Sequence, residues 1–254
     1  MEIEGKIIVV TGAASGIGAA MADRFTKEGA KLVVCADLNA DGAKATAESV
    51  GGVAFTTDVS SENDIQQLID TVESDHGPID IFCSNAGIGY FGGAETTNDQ
   101  WQKIWEVNVM AHVWAARHLI PKMTARGGGY LVNTASAAGL LSQIGSASYA
   151  VTKHAAVGFA EWIALTHGDD GIKVSVLCPQ AVRTAMTAGN EDGVASINGM
   201  MEPEDCVDAV VEAIEQETFL ILPHKEVLKY MRNKTEDYDR WISGMQKLNR
   251  AYKG

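Results

Sequence analysis

Tyr149 and Lys153 stand four residues apart in SASYAVTKH (146–154), among side chains that are otherwise small. On an α-helix this spacing puts both on one face, so phenol and ammonium can meet. A free phenol titrates near ~10, and general acid or base work near neutrality must offset about 3 to 4 kcal/mol. One ammonium at ~4 Å, in an effective dielectric of ~20, offers about 4 kcal/mol. The pair can therefore move a proton, although alone such a pair is more often a ring and a solvated charge on a helix surface. Ser136, in NTASAAG just past an apolar run, adds a hydroxyl that alone would be read as a turn residue.

A second constellation suits phosphate. TGAASGIG (11–18) follows the first apolar run and opens the first helical one. Gly12, Gly16 and Gly18 remove Cβ atoms where a backbone must turn sharply, with Ser15 and Ile17 in the same turn, and approach a pyrophosphate at a helix N-terminus. The absence of a GK[ST] ending excludes a Walker loop. Asp37, at the end of the second apolar run, can accept hydrogen bonds from an adenosine ribose, with Leu38 beside it. A carboxylate there repels a 2'-phosphate, and 13–15 and Leu38 supply no positive charge to hold one. The expected cofactor is NAD(H) rather than NADP(H).

Seven short apolar runs would position these groups: 6–11, 31–36, 53–57, 79–84, 130–134, 173–178 and 219–222. Helical segments separate them, and continuous apolar strands alternating with helices indicate a parallel sheet covered on both faces. After Asp58, Ser61 can cap a helix whose Ile65, Leu68, Ile69 and Val72 share one face, ending near Gly77-Pro78. The uninterrupted alternation predicts one α/β domain over 1–254. Residues 184–202, glycine-rich and irregular, are expected to form a lid, and 224–252 a helical extension whose apolar faces suit either this chain or a neighbouring subunit.

Composition narrows the classes. A net charge of -13, from 20 Lys and Arg against 33 Asp and Glu, repels nucleic acid and anionic membrane. The acidic N-terminus resembles neither a secretory signal nor a transit peptide, and no apolar run approaches the ~18 residues of a membrane span. Four cysteines without CxxC spacing read as small buried hydrophobes in a reducing compartment. A cytoplasmic enzyme is expected. The six histidines show no HExxH or Cys-paired pattern, so no catalytic metal is expected.

Taken together, TGAASGIG, Asp58-Val59, Asn85-Ala86-Gly87, Asn108, Ser136 and Tyr149-x-x-x-Lys153 come in the order and approximate spacing of one family. The chain resembles the short-chain dehydrogenase/reductase family over about residues 5–222. The resemblance implies a Rossmann-type, doubly wound, seven-stranded parallel sheet in the order 3-2-1-4-5-6-7. It implies a homotetramer or, alternatively, a homodimer. It implies that Asp58 and Val59 hold adenine, that Asn85, Ala86 and Gly87 line the cofactor cleft, and that Tyr149 and Lys153 also touch the cofactor. The family's tetrad would fall on Asn108, Ser136, Tyr149 and Lys153, with Asn108 anchoring a water that links the lysine to solvent.

After the sixth strand the family usually has Pro-Gly, whereas CPQAVRT (178–184) places Gln180 after Pro179. By resemblance Val182 and Thr184 still serve the nicotinamide carboxamide, while Gln180 puts the substrate-loop geometry in question. Tyr149 would take the hydroxyl proton of a secondary alcohol as hydride leaves carbon, and Ser136 would donate to the substrate oxygen. Ala147 and Ala150 would let cofactor and substrate come close to the phenol. Tyr90, Ala138, Ile144, Gln180 and Met186 would surround the substrate. Their largely apolar surroundings favour a hydrophobic secondary alcohol or ketone, with Arg183 the one open question as a charged handle. The alternatives are a carbonyl reductase working mainly in reduction, and a non-catalytic NAD-binding sensor or scaffold.

Overall fold

The computed structural model describes residues 1–189, 191 and 193–252; Asn190 and Asp192 of the expected lid, and Lys253 and Gly254, lie outside the described residues. Strands β1 (Ile7–Thr11), β2 (Leu32–Asp37), β3 (Val53–Thr56), β4 (Ile81–Ser84), β5 (Gly129–Thr134), β6 (Ile172–Leu177) and β7 (Leu220–Ile221) form one sheet. Its order is β3-β2-β1-β4-β5-β6-β7 and every pairing is parallel, with Val10 opposite Cys35 on one side and Cys83 on the other. This is a doubly wound, Rossmann-type α/β sheet.

Because strand side chains alternate, the two faces build two apolar layers. Ile7 and Val9 of β1 join a layer with α3 (Glu62–Asp75), α5 (Ala111–Ala125) and α7 (Ala147–His167). Ile8 and Val10 point the other way, to α1 (Gly16–Lys27), α2 (Ala40–Val50) and α8 (Pro203–Gln216). Each fully buried aliphatic side chain contributes about 1.5–3 kcal/mol of transfer free energy. Ser61 caps α3 as expected, its hydroxyl accepting from Asp64 N at 3.3 Å. All four cysteines are buried free thiols.

Strand order reverses between β1 and β4, so their carboxyl ends diverge and leave a crevice. The helical stretch past that crevice is not regular. It consists of α4 (Asn98–Trp105), a π-helical segment (Glu106–Met110) and α5, so Asn108 sits in the π turn. Short α6 (Ala138–Leu141) follows β5. At the carboxyl end, α9 (Glu226–Glu236) packs in cis: Val227 is fully buried against Ala137 and Leu141. The last helix, α10 (Tyr238–Tyr252), has no buried residue. No helix among the described residues is long and apolar enough to cross a membrane.

Candidate active site

A cavity of about 750 Å³ opens over the carboxyl ends of β1, β4, β5 and β6. Its floor begins at the turn after β1, where Gly12 has φ +69 and a Cβ on it would lie 2.8 Å from Ala86 Cα. Only a glycine permits both that backbone and that approach. Gly12, Ser15, Gly16 and Ile17 line the cavity. Gly18 does not: a Cβ there would sit 2.1 Å from Gly12 O, so this glycine lets α1 pack close beneath the turn. Ser15 occupies the N-cap of α1 with extended backbone and makes no side-chain cap, which leaves the first N–H groups of α1 for an anion.

Asp37 ends β2 with its carboxylate fixed by two backbone donors, Ala14 N at 3.0 Å and Asn39 N at 2.9 Å. Leu38 lies beside it on the cavity wall, two-thirds exposed. Asp58 and Val59 line the same end. Burial works to raise the Asp58 pKa, but hydrogen bonds from the Ser60 hydroxyl and N–H, together with Lys103, outweigh it and hold the carboxyl below its usual range. Lys103 also lines the cavity; it reaches there from α4, a placement no local spacing reveals.

The loop after β4 is stitched to both neighbouring strands. Asn85 Nδ2 donates to Thr11 O at 3.0 Å, its Oδ1 accepts from Thr134 Oγ1 at 3.1 Å, and the N–H groups of Asn85 and Ala86 both donate to Thr11 Oγ1. Asn85, Ala86 and Gly87 are thereby held along the cavity.

The four candidates of the tetrad converge but take different stations. Lys153 is buried, and its Nζ donates to Thr134 O at 2.9 Å while standing 5.6 Å from the centre of the Tyr149 ring. Burial lowers its pKa to about 8. Ser136 Oγ accepts from Ala138 N at 3.1 Å and donates to Pro179 O over a long 3.3 Å, so its proton is weakly engaged and free to turn to a ligand. Tyr149 faces the cavity. Its pKa is raised: burial dominates and the Ser136 hydroxyl opposes only part of the rise. Without a ligand, the ring holds its proton.

Asn108 does not line the cavity. Its Oδ1 accepts from Ile88 N and its Nδ2 donates to Ile88 O, both at 2.9 Å, and Nδ2 also reaches Thr152 Oγ1 at 3.2 Å. It ties the loop after β4 to α7, one turn from the phenol. A Cβ at Gly87 would lie 3.4 Å from both Asn108 Oδ1 and Lys153 Nζ, so these two groups flank one small space.

Of the expected substrate residues, Tyr90, Ala138, Gln180 and Met186 line the cavity. Ile144 does not; it sits on the loop after α6 with its carbonyl accepting from Gln143 Nε2. Ala147 and Ala150 are also absent from the wall, and the residue that faces the phenol ring is Gly89, whose Cβ would lie 3.6 Å from Tyr149 Cδ2. Arg183 is no handle in the cavity: it pairs with Glu202 at 2.8 Å on the surface. Pro179, Val182 and Thr184 line the wall, and residue 180 keeps an ordinary backbone, since positive φ outside glycine among the described residues is confined to Ser142 and Glu217. The backbone at residue 180 therefore does not require a glycine.

The outer wall comes from Met186, Val194 and Ile197, and from Trp241, Met245 and Leu248 of α10. The last three follow an i, i+4, i+7 spacing visible in the sequence, but nothing local says what they face. His112, beneath the site, is buried and kept neutral, its pKa lowered to about 3 by burial with the Lys153 charge adding. Among the described residues no group of three or more His, Cys, Asp or Glu is placed to hold a metal ion.

A family model described as short chain dehydrogenase matches residues 6–195. The chain belongs to the short-chain dehydrogenase family. As a short-chain dehydrogenase it is an oxidoreductase, and its relatives carry alcohol and hydroxy-compound dehydrogenase names. It is 34% identical over 253 residues to 1-deoxy-11-beta-hydroxypentalenate dehydrogenase of Streptomyces exfoliatus, across 96% of this chain and 92% of that protein. It is 34% identical over 233 residues to human epidermal retinol dehydrogenase 2, across 87% of this chain and 75% of that one. A short chain dehydrogenase/reductase from Burkholderia phymatum, solved in complex with NAD, superposes with a TM-score of 0.87 at 28% identity, covering 94% of this chain and 96% of its own.

Proposed function

We propose that this short-chain dehydrogenase uses NAD(H) to interconvert a hydrophobic secondary alcohol and its ketone, with Tyr149 as the group that moves the proton. The observation that carries this reading is the convergence of Tyr149, Ser136 and buried Lys153 on one apolar cavity whose other end is lined by the uncapped α1 and by Asp37. That end fits a dinucleotide: Gly12 leaves a cradle that a Cβ would fill, α1 presents free N–H groups to a pyrophosphate, and the Asp37 carboxylate is aimed by Ala14 and Asn39. Bound NAD would supply the hydride acceptor, in the balance secondary alcohol + NAD⁺ giving ketone + NADH + H⁺. Gly12, Ser15, Gly16 and Ile17 would hold the phosphates, Asp37 the ribose, Asp58 and Val59 the adenine, and Asn85 to Gly87, Val182 and Thr184 the nicotinamide half.

In oxidation, Tyr149 Oη takes the alcohol proton, Ser136 Oγ–H turns from Pro179 O to the substrate oxygen, and the Lys153 ammonium stabilises the phenolate. Asn108 acts at one remove, by holding the loop that carries Gly87. The chain works as one catalytic domain, with 184–202 and α10 as covers over the substrate. Exposed Trp162 and Leu165 on α7 support self-association, expected to give a tetramer or dimer by light scattering.

Tyr149→Phe tests the reading. The variant should bind NADH, followed by fluorescence, and lose turnover of hydrophobic secondary alcohols by about 10²–10⁴-fold. Near-normal turnover would sink it.

A further inference from the structure

Ser136 Oγ donates to Pro179 O at 3.3 Å, and the same carbonyl accepts Ala137 N at 2.8 Å. That carbonyl is one end of the peptide unit joining Pro179 to Gln180. The other end, the N–H of Gln180, donates to Nδ1 of His224 at 3.2 Å. A peptide unit is planar, because its C–N bond resists rotation, so whatever fixes the N–H also fixes the direction of the C=O. His224 thus reaches Ser136 through one rigid group, from the segment between β7 and α9, 44 residues beyond Gln180.

An imidazole is not what packing alone selects at such a place. His224 is buried, and a buried polar ring loses hydration that an aliphatic side chain would not, unless a hydrogen bond offsets the loss. Its Nε2 finds no partner among the described residues, which leaves the bond at Nδ1 to do so. To accept there the ring must be neutral with its proton on Nε2, and burial lowers its pKa in that sense, Glu226 and the Ala181 backbone opposing. The Ser136 hydroxyl at the far end of the chain of bonds also faces the Tyr149 phenol. We propose that His224 is a positioning residue for the reaction: by accepting from Gln180 N–H it fixes the Pro179 carbonyl, and through that carbonyl it holds the Ser136 hydroxyl beside Tyr149 until a substrate oxygen takes over the hydrogen bond. With the N–H end released, the peptide can swing and draw Oγ away from the phenol. This rests on the reading of Ser136 as the donor to the reacting oxygen.

The test is a double-mutant cycle on kcat, with NAD⁺ and the best substrate among cyclohexanol, menthol and 1-phenylethanol. His224→Leu and His224→Phe remove the acceptor, whereas His224→Asn keeps an amide oxygen near the place of Nδ1. In the wild-type background the first two should each lower kcat by about 3–10-fold, the worth of one neutral hydrogen bond, and the third should stay within about twofold of wild type. In the Ser136→Ala background His224→Leu and His224→Phe should change kcat by less than about twofold, because the group they act through is gone. Thermal melting identifies a variant that has failed to fold, the others then deciding. No loss in the wild-type background, an equal loss in both backgrounds, or a loss in folded His224→Asn as large as in the other two overturns the assignment of His224 and leaves the alcohol dehydrogenase reading standing. Near-normal kcat in Ser136→Ala, or turnover of none of the three alcohols by wild type with NADH binding intact, overturns both.

Discussion

The sheet-side wall of the cavity and the outer wall are held by different forces. On the sheet side, Asn85, Thr11 and Thr134 are joined by hydrogen bonds, Gly12 lies against Ala86 backbone, and Lys153 is pinned to a β5 carbonyl. On the outer side, α10 has no fully buried residue, Met186 and Ile197 are each about half exposed, and the described residues of 184–202 are tied down by separate bonds, Arg183 N to Met201 O, Met201 N to Ala181 O, Ala181 N to Ala195 O and Tyr230 Oη to Asn198 Oδ1. Polar groups in the first wall can move little without leaving a buried donor or acceptor unmade. Apolar contacts in the second tolerate substitution and sliding. On the proposed reading the reacting groups lie on the rigid wall, while the loose one covers the body of the substrate.

The sharpest way to break that division is Lys153→Met. Turnover should fall by about 10²–10⁴-fold, while stability responds in a pH-dependent way that a surface lysine would not produce. The Lys153 pKa is about 8 in the fold against 10.5 for a free lysine, burial being the main cause. Between those values the unfolded chain binds more protons, so stability rises with pH through that window; the contribution is fully present above ~10.5 and lost as pH falls through 8. Urea denaturation at pH 7 and pH 10 should show wild type gaining on the variant by about 2–3 kcal/mol. No gain would mean that the ammonium is solvated and the wall less closed than described.

Next in size is the cofactor end. Asp37→Ser removes the carboxylate that opposes a 2'-phosphate, and should shift the kcat/KM ratio of NADPH to NADH upward by about 10–100-fold, the scale of one charge–charge contact in a partly buried site. A wild-type preference for NADPH would refute the role given to Asp37.

On the outer wall the effect is expected to be smaller and of another kind. Trp241→Ala should raise KM for a bulky hydrophobic alcohol by about 5–50-fold, from apolar area no longer covered, with a smaller change in kcat. An equal fall in kcat would place α10 in the chemistry and blur the contrast between the walls. Smallest of all, Ile144→Ala should alter kcat/KM by less than about twofold, since a substitution that meets neither wall leaves the transition state untouched.

The strands were legible because apolar runs bounded by turns are local signals, and each lies within a residue or two of its expected ends. The turn at Gly12, the end of β2 at Asp37 and the Tyr149–Lys153 helix were legible for the same reason: spacing along one element fixes them. What escaped depends on distant chain. Gly18 belongs to the fingerprint by pattern, yet its constraint is the Gly12 carbonyl. Ile144 is apolar at the right distance from Ser136, but the loop after α6 turns it off the wall. The Trp241, Met245 and Leu248 stripe announced an amphipathic helix without its partner. The rise in the proton affinity of Tyr149 escaped too, because a neighbouring charge can be counted from sequence, whereas the loss of water around a ring cannot.

The π turn at Glu106–Met110 has a consequence for chain length. A π turn holds one residue more than an α-helical path between the same end points would need, and such turns tend to persist where they serve a site. Deleting Val109 should let the helix close into regular i→i+4 bonding with both ends still packed, so the shortened protein should melt no lower than its parent. The Asn108 amide would leave Ile88, however, and the loop bearing Gly87 would lose its tether. Here regularity and competence are opposed: the surplus residue is a register error kept in the helix because it aims an amide, and a calorimeter would score its removal as a repair while an activity assay would score it as damage.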